Sequence, residues 1–116
     1  MTKRNYKLYV KDILDAIEKI EEYTKNLSFE KFSDNKLVID AVVRNFEIIG
    51  EASKNIPGQI KTLHQNIPWK EMAGMRDKII HEYFGVDLDI VWKTIETRLP
   101  NLRTSLRDIY ESTAES

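Results

Sequence analysis

The 116-residue chain has no cysteine, which excludes disulfides, thiolate metal sites and a Cys nucleophile. Glycine (four) and proline (three) are both scarce; so few turn formers point to long helices. Neither sign of charge is in excess, since 18 Lys and Arg face 19 Asp and Glu for a net charge of -1. That balance excludes a protein that coats nucleic acid by bulk electrostatics, so any nucleic-acid function must come from a local patch or a defined site. Long apolar runs are also missing. The opening MTKRNYKLYVKDILD is charged throughout, unlike a signal peptide or anchor, and no stretch approaches the ~18 apolar residues of a spanning helix. No membrane association and a cytoplasmic location are therefore expected. What is present is 41% hydrophobic residues, enough for the core of a single domain over 1–116 with a radius of roughly 13 Å.

The apolar spacing is helical almost everywhere. Tyr6, Val10, Ile13, Ile17, Ile20 and Leu27 share one stripe, with Thr24 at its polar position, and the charged residues fall mostly opposite. Residues 28–32 read as a connection with room for one helical turn. Ser33 or Asp34 is the expected N-cap of a second helix running to about Asn55. That helix carries two adjacent stripes, Ile39, Val42, Phe46, Ile49 and Ile56 beside Leu37, Ala41, Ile48 and Ala52. So wide an apolar arc places it at the centre of a bundle or in a subunit interface. Pro57-Gly58 stops it. A short helix over 59–65 and a turn at Asn66-Ile67-Pro68 lead into a helical stretch from Trp69 to Tyr83 that Gly74 interrupts, and Gly85 closes it. Asp87 caps a last segment in which Leu88, Trp92, Ile95, Leu99, Leu102, Leu106 and Ile109 repeat every three or four residues. Pro100 falls inside it, so the helix kinks or restarts there without losing its apolar phase. The expectation is an all-α bundle of four or five helices.

Chemistry narrows to a few residues. His64 sits in a polar stretch and reads as a solvated loop residue. His81 lies among Arg76, Asp77, Lys78, Glu82 and Tyr83, so it is the stronger candidate for proton transfer near neutral pH, beside a purely capping role at a helix end. No metal site is expected. Di-iron bundles need Glu three residues before His, and here Lys61 and Lys78 hold those positions. Two distant histidines without cysteine do not make a zinc site either. There is no glycine-rich phosphate loop and no serine in an elbow motif.

Arg76, four residues, His81, one residue, Tyr83 is the signature of the HepT-like group of the HEPN superfamily. The block Arg44-Asn45-Phe46-Glu47-Ile48-Ile49-Gly50-Glu51-Ala52 resembles a second block of that family. Pro68-Trp69 and Met72-Ala73-Gly74-Met75 resemble the approach to its motif. The resemblance spans nearly the whole chain in the right order. It implies a compact helical homodimer with an RNA-cleaving site in the groove between subunits, working without a metal or other cofactor. It further implies a toxin paired with a minimal nucleotidyltransferase (MNT) antitoxin that, in some such pairs, transfers AMP to the motif tyrosine. By position, Arg76 and His81 are then catalytic, Asp77 supports them, and Tyr83 is the modification site. Arg44, Glu47 and Glu51 rank as supporting residues that orient Arg76 or bridge subunits.

These residue types suit metal-free RNA cleavage. The 2′-hydroxyl is an internal nucleophile, so the protein need only move protons and stabilise charge. His81 serves as general base or acid, and Arg76 as a permanent bidentate phosphate clamp. A two-fold axis would bring two copies of each to one groove. Helix geometry adds a condition, because five residues rotate His81 roughly 140° from Arg76. The two converge only if the helix ends or deforms near Ile80, or if they meet across a dimer. Two other readings compete: a non-catalytic helical module that binds a nucleotide or a partner nucleotidyltransferase, and a chain that serves mainly as a substrate for AMP transfer. The second is compatible with the ribonuclease. The intact Arg76-Asp77…His81 set favours the enzyme.

Overall fold

In a computed structural model the described residues are 5–81 and 87–112, with side chains described outside 76–81. They form seven α-helices and no strand: α1 (Tyr6–Thr24), α2 (Phe29–Ser33), α3 (Lys36–Lys54), α4 (Gly58–Leu63), α5 (Trp69–His81), α6 (Leu88–Thr97) and α7 (Leu99–Ser112). The first apolar stripe makes α1, where Val10, Ile13, Ile17 and Ile20 are wholly buried. It stops short of Leu27. Thr24 is buried and its hydroxyl donates to the Ile20 carbonyl at 2.8 Å, after which Asn26 turns the chain at φ 67°, a conformation that Asn tolerates better than most residues. Ser28 then caps α2 by accepting from the Lys31 N–H, and this five-residue helix drives Phe32 fully into the core.

Asn35 caps α3, accepting from the Val38 N–H at 3.1 Å, rather than Ser33 or Asp34. Ser33 is instead the last residue of α2, and its hydroxyl donates to the Glu30 carbonyl. The wide apolar arc of α3 is used on two sides, against α1 and against α5, so α3 is the centre of the bundle. Leu37 is the exception at 81% exposure, because it lies in the first turn. Pro57 caps α4, its carbonyl accepting from Ile60 and Lys61. The Trp69 indole donates to the His64 carbonyl at 3.0 Å, which ties the end of α4 to the start of α5. Gly74 does not interrupt α5, which is continuous to His81.

Asp87 caps α6 through the Asp89 N–H. The chain breaks helical continuity at Arg98 and restarts, so Pro100 stands in the first turn of α7, where its missing N–H has no helical partner to lose. Ile95, Leu99, Leu102, Leu106 and Ile109 are all buried, so the apolar phase survives the restart. α7 packs on α1, and α6 on α2 through Phe32 and Trp92, whose rings lie 5.0 Å apart. The fold is all-α, with five longer helices and two short ones in the connections. Its radius of gyration is 14.5 Å and its extents 45 × 28 × 25 Å.

Candidate functional site

The backbone of Arg76, Asp77 and His81 belongs to α5; their side chains, and all of Tyr83, lie outside the described residues. Backbone register is nonetheless informative. Position 76 follows Trp69 by seven residues and Met72 by four along the one continuous helix. The helix runs without a break past Ile80 to His81, which keeps positions 76 and 81 about 140° apart around the axis. The described helix ends at His81, one residue past Ile80, so an end of the helix there and a meeting across a dimer are both compatible with its backbone.

Arg44, Glu47 and Glu51 come together on α3. With Tyr9, Asp12 and Asn55 they line a groove of about 290 Å³ between α1 and α3. The Arg44 guanidinium lies 3.8 Å from the Glu47 carboxylate, and Arg44 is 70% exposed, so the pair is loose and solvent-screened. No described residue of α5 lines this groove. The structure thus unites these three side chains with one another and with α1, but not with the described part of α5.

Two other clefts do involve α5, and both share Glu71 and Met75. One, of about 320 Å³, is mostly apolar, with Phe46, Gly74, Ile90, Val91 and Thr94 in its walls; Ile90 is 49% exposed. The other, of about 250 Å³, lies between the start of α5 and the start of α7. Across it Arg98 donates to Glu71 at 3.3 Å. Asn66, Asn101 and Ser105 add polar groups, and Ile67 and Leu102 are buried beneath. Apolar periodicity does not point to Glu71, Arg98 or Asn101, because each is an exposed polar residue whose neighbours here come from distant sequence.

His64, as expected of a connection, sits at the C-cap of α4 and contributes its carbonyl to Trp69. Among the described residues no group of three or more His, Asp or Glu is placed to hold a metal ion, and no helix is long and apolar enough to cross a membrane. Lys11, hydrogen-bonded to Asp15 on the surface of α1 at 3.0 Å, has its ammonium pKa held above the ordinary lysine value by that carboxylate. It lies away from all three clefts.

Residues 13–109 match the HepT-like ribonuclease family. A protein of Thermococcus cleftensis named probable ribonuclease HepT is 55% identical over 101 residues, covering 87% of this chain and 92% of its own. A protein of Methanocaldococcus jannaschii that carries an RNase name is 46% identical over 109 residues, 94% of this chain and 90% of that one. A third, RNase-named, from Caldanaerobacter subterraneus is 46% identical over 103 residues, 89% of this chain and 92% of its own. No solved structure matches. The matched span contains the whole of α5 and the α3 block and takes in most of the chain, and this all-α chain belongs to the HepT-like ribonuclease family.

Proposed function

We propose that this single-domain chain is a metal-independent endoribonuclease that works as a homodimer, with His81 and Arg76 of both subunits in one groove. The observation that carries the reading is the family match over 13–109, which encloses the Arg76…His81…Tyr83 motif. In the proposed reaction His81 of one subunit takes the proton of the RNA 2′-hydroxyl. The 2′-oxygen attacks the adjacent phosphorus, and the bond to the 5′-oxygen breaks. His81 of the other subunit protonates that leaving oxygen, giving a 2′,3′-cyclic phosphate and a free 5′-hydroxyl. Arg76 neutralises the charge that builds on the phosphorane, and Asp77 supports the arginine. Arg44, Glu47 and Glu51 take structural roles, in orienting Arg76 or in bridging subunits.

Two features support the dimer. An unbroken α5 keeps Arg76 and His81 on different sides of one helix, so a second subunit supplies what one helix cannot. Gly74 supplies the other. A glycine inside a helix costs about 1 kcal/mol relative to alanine, and a Cβ at Gly74 would meet nothing within 4 Å. Packing among the described residues gives no reason for it; close approach of another backbone does. Gly74 stands in the apolar cleft beside half-exposed Ile90, directly before the motif.

In this reading the protein is the cytoplasmic toxin of a toxin–antitoxin pair whose partner is an MNT antitoxin. AMP transferred to the Tyr83 hydroxyl would add a bulky anion next to Arg76 and His81, blocking phosphate entry and offsetting the positive charge. The test is to incubate the purified protein with RNA in EDTA beside His81→Ala. Cleavage that survives EDTA and falls by a factor of about 10²–10⁴ in the variant, as expected for a lost acid–base group, supports the assignment; equal background in both indicates a binding module instead.

A further inference from the structure

The cleft between the start of α5 and the start of α7 is a built feature that neither the motif nor the dimer requires. Its floor is apolar, from Ile67, Met75 and Leu102, and its rim is polar, from Asn66, Arg98 and Asn101. At about 250 Å³ it lies below the roughly 300–1,000 Å³ that enclose a whole drug-sized ligand, which suits one ring system of a longer molecule. The Glu71–Arg98 bridge across it joins groups that are each 59% exposed. Such a solvent-screened surface pair adds little stability, so stability does not account for holding a carboxylate and a guanidinium at one rim.

Its position gives it meaning. Met75 lines the cleft and is the residue before Arg76. Glu71 lies five residues earlier, about 7.5 Å along the helix axis and about 140° around it, so it is Met75 that brings the cleft beside position 76. An RNA strand whose scissile phosphate rests on Arg76 therefore has a neighbouring nucleotide within reach of this cleft. On its other side, the Glu71–Met75 edge borders the apolar cleft placed in the subunit contact. The α5–α7 cleft, with its two amides and its guanidinium, is thus the one left for substrate.

We infer that this cleft is a base-recognition subsite, taking an unpaired nucleobase next to the scissile phosphate of the substrate RNA. The inference rests on the ribonuclease reading above. The ring lies on the Met75 and Leu102 side chains, the Arg98 guanidinium covers an open face, and the side-chain amides of Asn66 and Asn101 pair with the base edge. Amides carry both a donor and an acceptor, the combination that reads a base edge, while guanidinium planes stack on unpaired bases. Cleavage then shows a base preference at one position beside the cut.

The test uses the purified full chain and short single-stranded RNAs that carry each of the four bases at the positions flanking one cleavage point. Wild type is expected to favour one base at one flanking position. Asn101→Ala and Arg98→Ala reduce that preference by on the order of tenfold, the scale of one base contact, and raise KM while kcat at saturating RNA stays near wild type. Ser105→Ala, a smaller change in the same wall, serves if either variant unfolds. A wild type that cleaves all the RNAs equally overturns the inference and leaves the ribonuclease standing. So do variants that keep the preference, or that lower kcat evenly on every RNA. If wild type cleaves none of them and matches His81→Ala, the ribonuclease reading fails and the subsite falls with it.

Discussion

At the scale of single residues, the buried polar groups follow one rule. Thr24, Asn45 and Ser53 are each less than 9% exposed, and each donates to the carbonyl four residues earlier, at 2.8, 2.8 and 2.7 Å. Intrahelical back-bonding of this kind lets a polar residue sit on a core face without an unmet donor. Asn26 is the residue whose identity the backbone constrains most, since its φ of 67° costs most side chains about 1–2 kcal/mol. Asn26→Ala is expected to destabilise by about 1 kcal/mol, and Asn26→Gly to lie within about 0.5 kcal/mol of wild type or above it; urea unfolding of both variants checks this. An equal loss in both would mean that the Asn side chain, not the backbone angle, is what matters. Residue-level reading of the sequence was uneven for the same physical reason. Asp87 stands alone before an apolar run and was legible as a cap. Ser33, Asp34 and Asn35 are three capping residues in succession, and the choice of Asn35 depended on where α2 ended, which only the burial of Phe32 decides.

At the scale of helices, packing and surface charge contribute very differently. α1 and α7 are joined by Arg103–Glu21 at 3.1 Å and Arg107–Glu18 at 2.9 Å, yet both arginines are 40% exposed or more and the bridges are screened by water and salt. Phe32, by contrast, is wholly buried and stacks against Trp92, joining the short α2 to α6. Phe32→Ala is expected to cost about 3–5 kcal/mol, and Arg107→Ala less than about 1 kcal/mol, with that small loss shrinking as salt is added. Chemical denaturation at low and high ionic strength separates the two. A loss from Arg107→Ala that rivals Phe32→Ala would overturn this ranking. The long helices were legible because their stripes are periodic over many residues. The short α2 escaped a firm reading because five residues are too few to show a period. The site divides along the same line. Its motif lies within eight residues of sequence and can be read directly, whereas the α5–α7 cleft depends on Glu71 meeting Arg98 across 27 residues, a closeness only tertiary packing creates.

At the scale of the whole molecule, the near-balance of 18 basic against 19 acidic residues limits how RNA can be held. In the dimer proposed above, weak long-range attraction would leave binding to a small doubled site, with Arg76 and His81 of two subunits supplying the positive charge. Because α5 stays helical through His81, the partner of each Arg76 is expected to be the His81 of the other subunit. The two-subunit site can be tested without a structure of the dimer. A heterodimer of wild type with His81→Ala keeps one of the two histidines, and so has the base or the acid but not both. When wild type is mixed with an equal amount of His81→Ala and the subunits exchange, only about a quarter of the dimers carry two intact histidines, against about half before exchange. The activity of the mixture is therefore expected to fall to about half as exchange proceeds. If each subunit works alone, exchange leaves the activity unchanged. Activity must also vanish when wild type is diluted below the dimer dissociation constant, since a composite site exists only while subunits are paired.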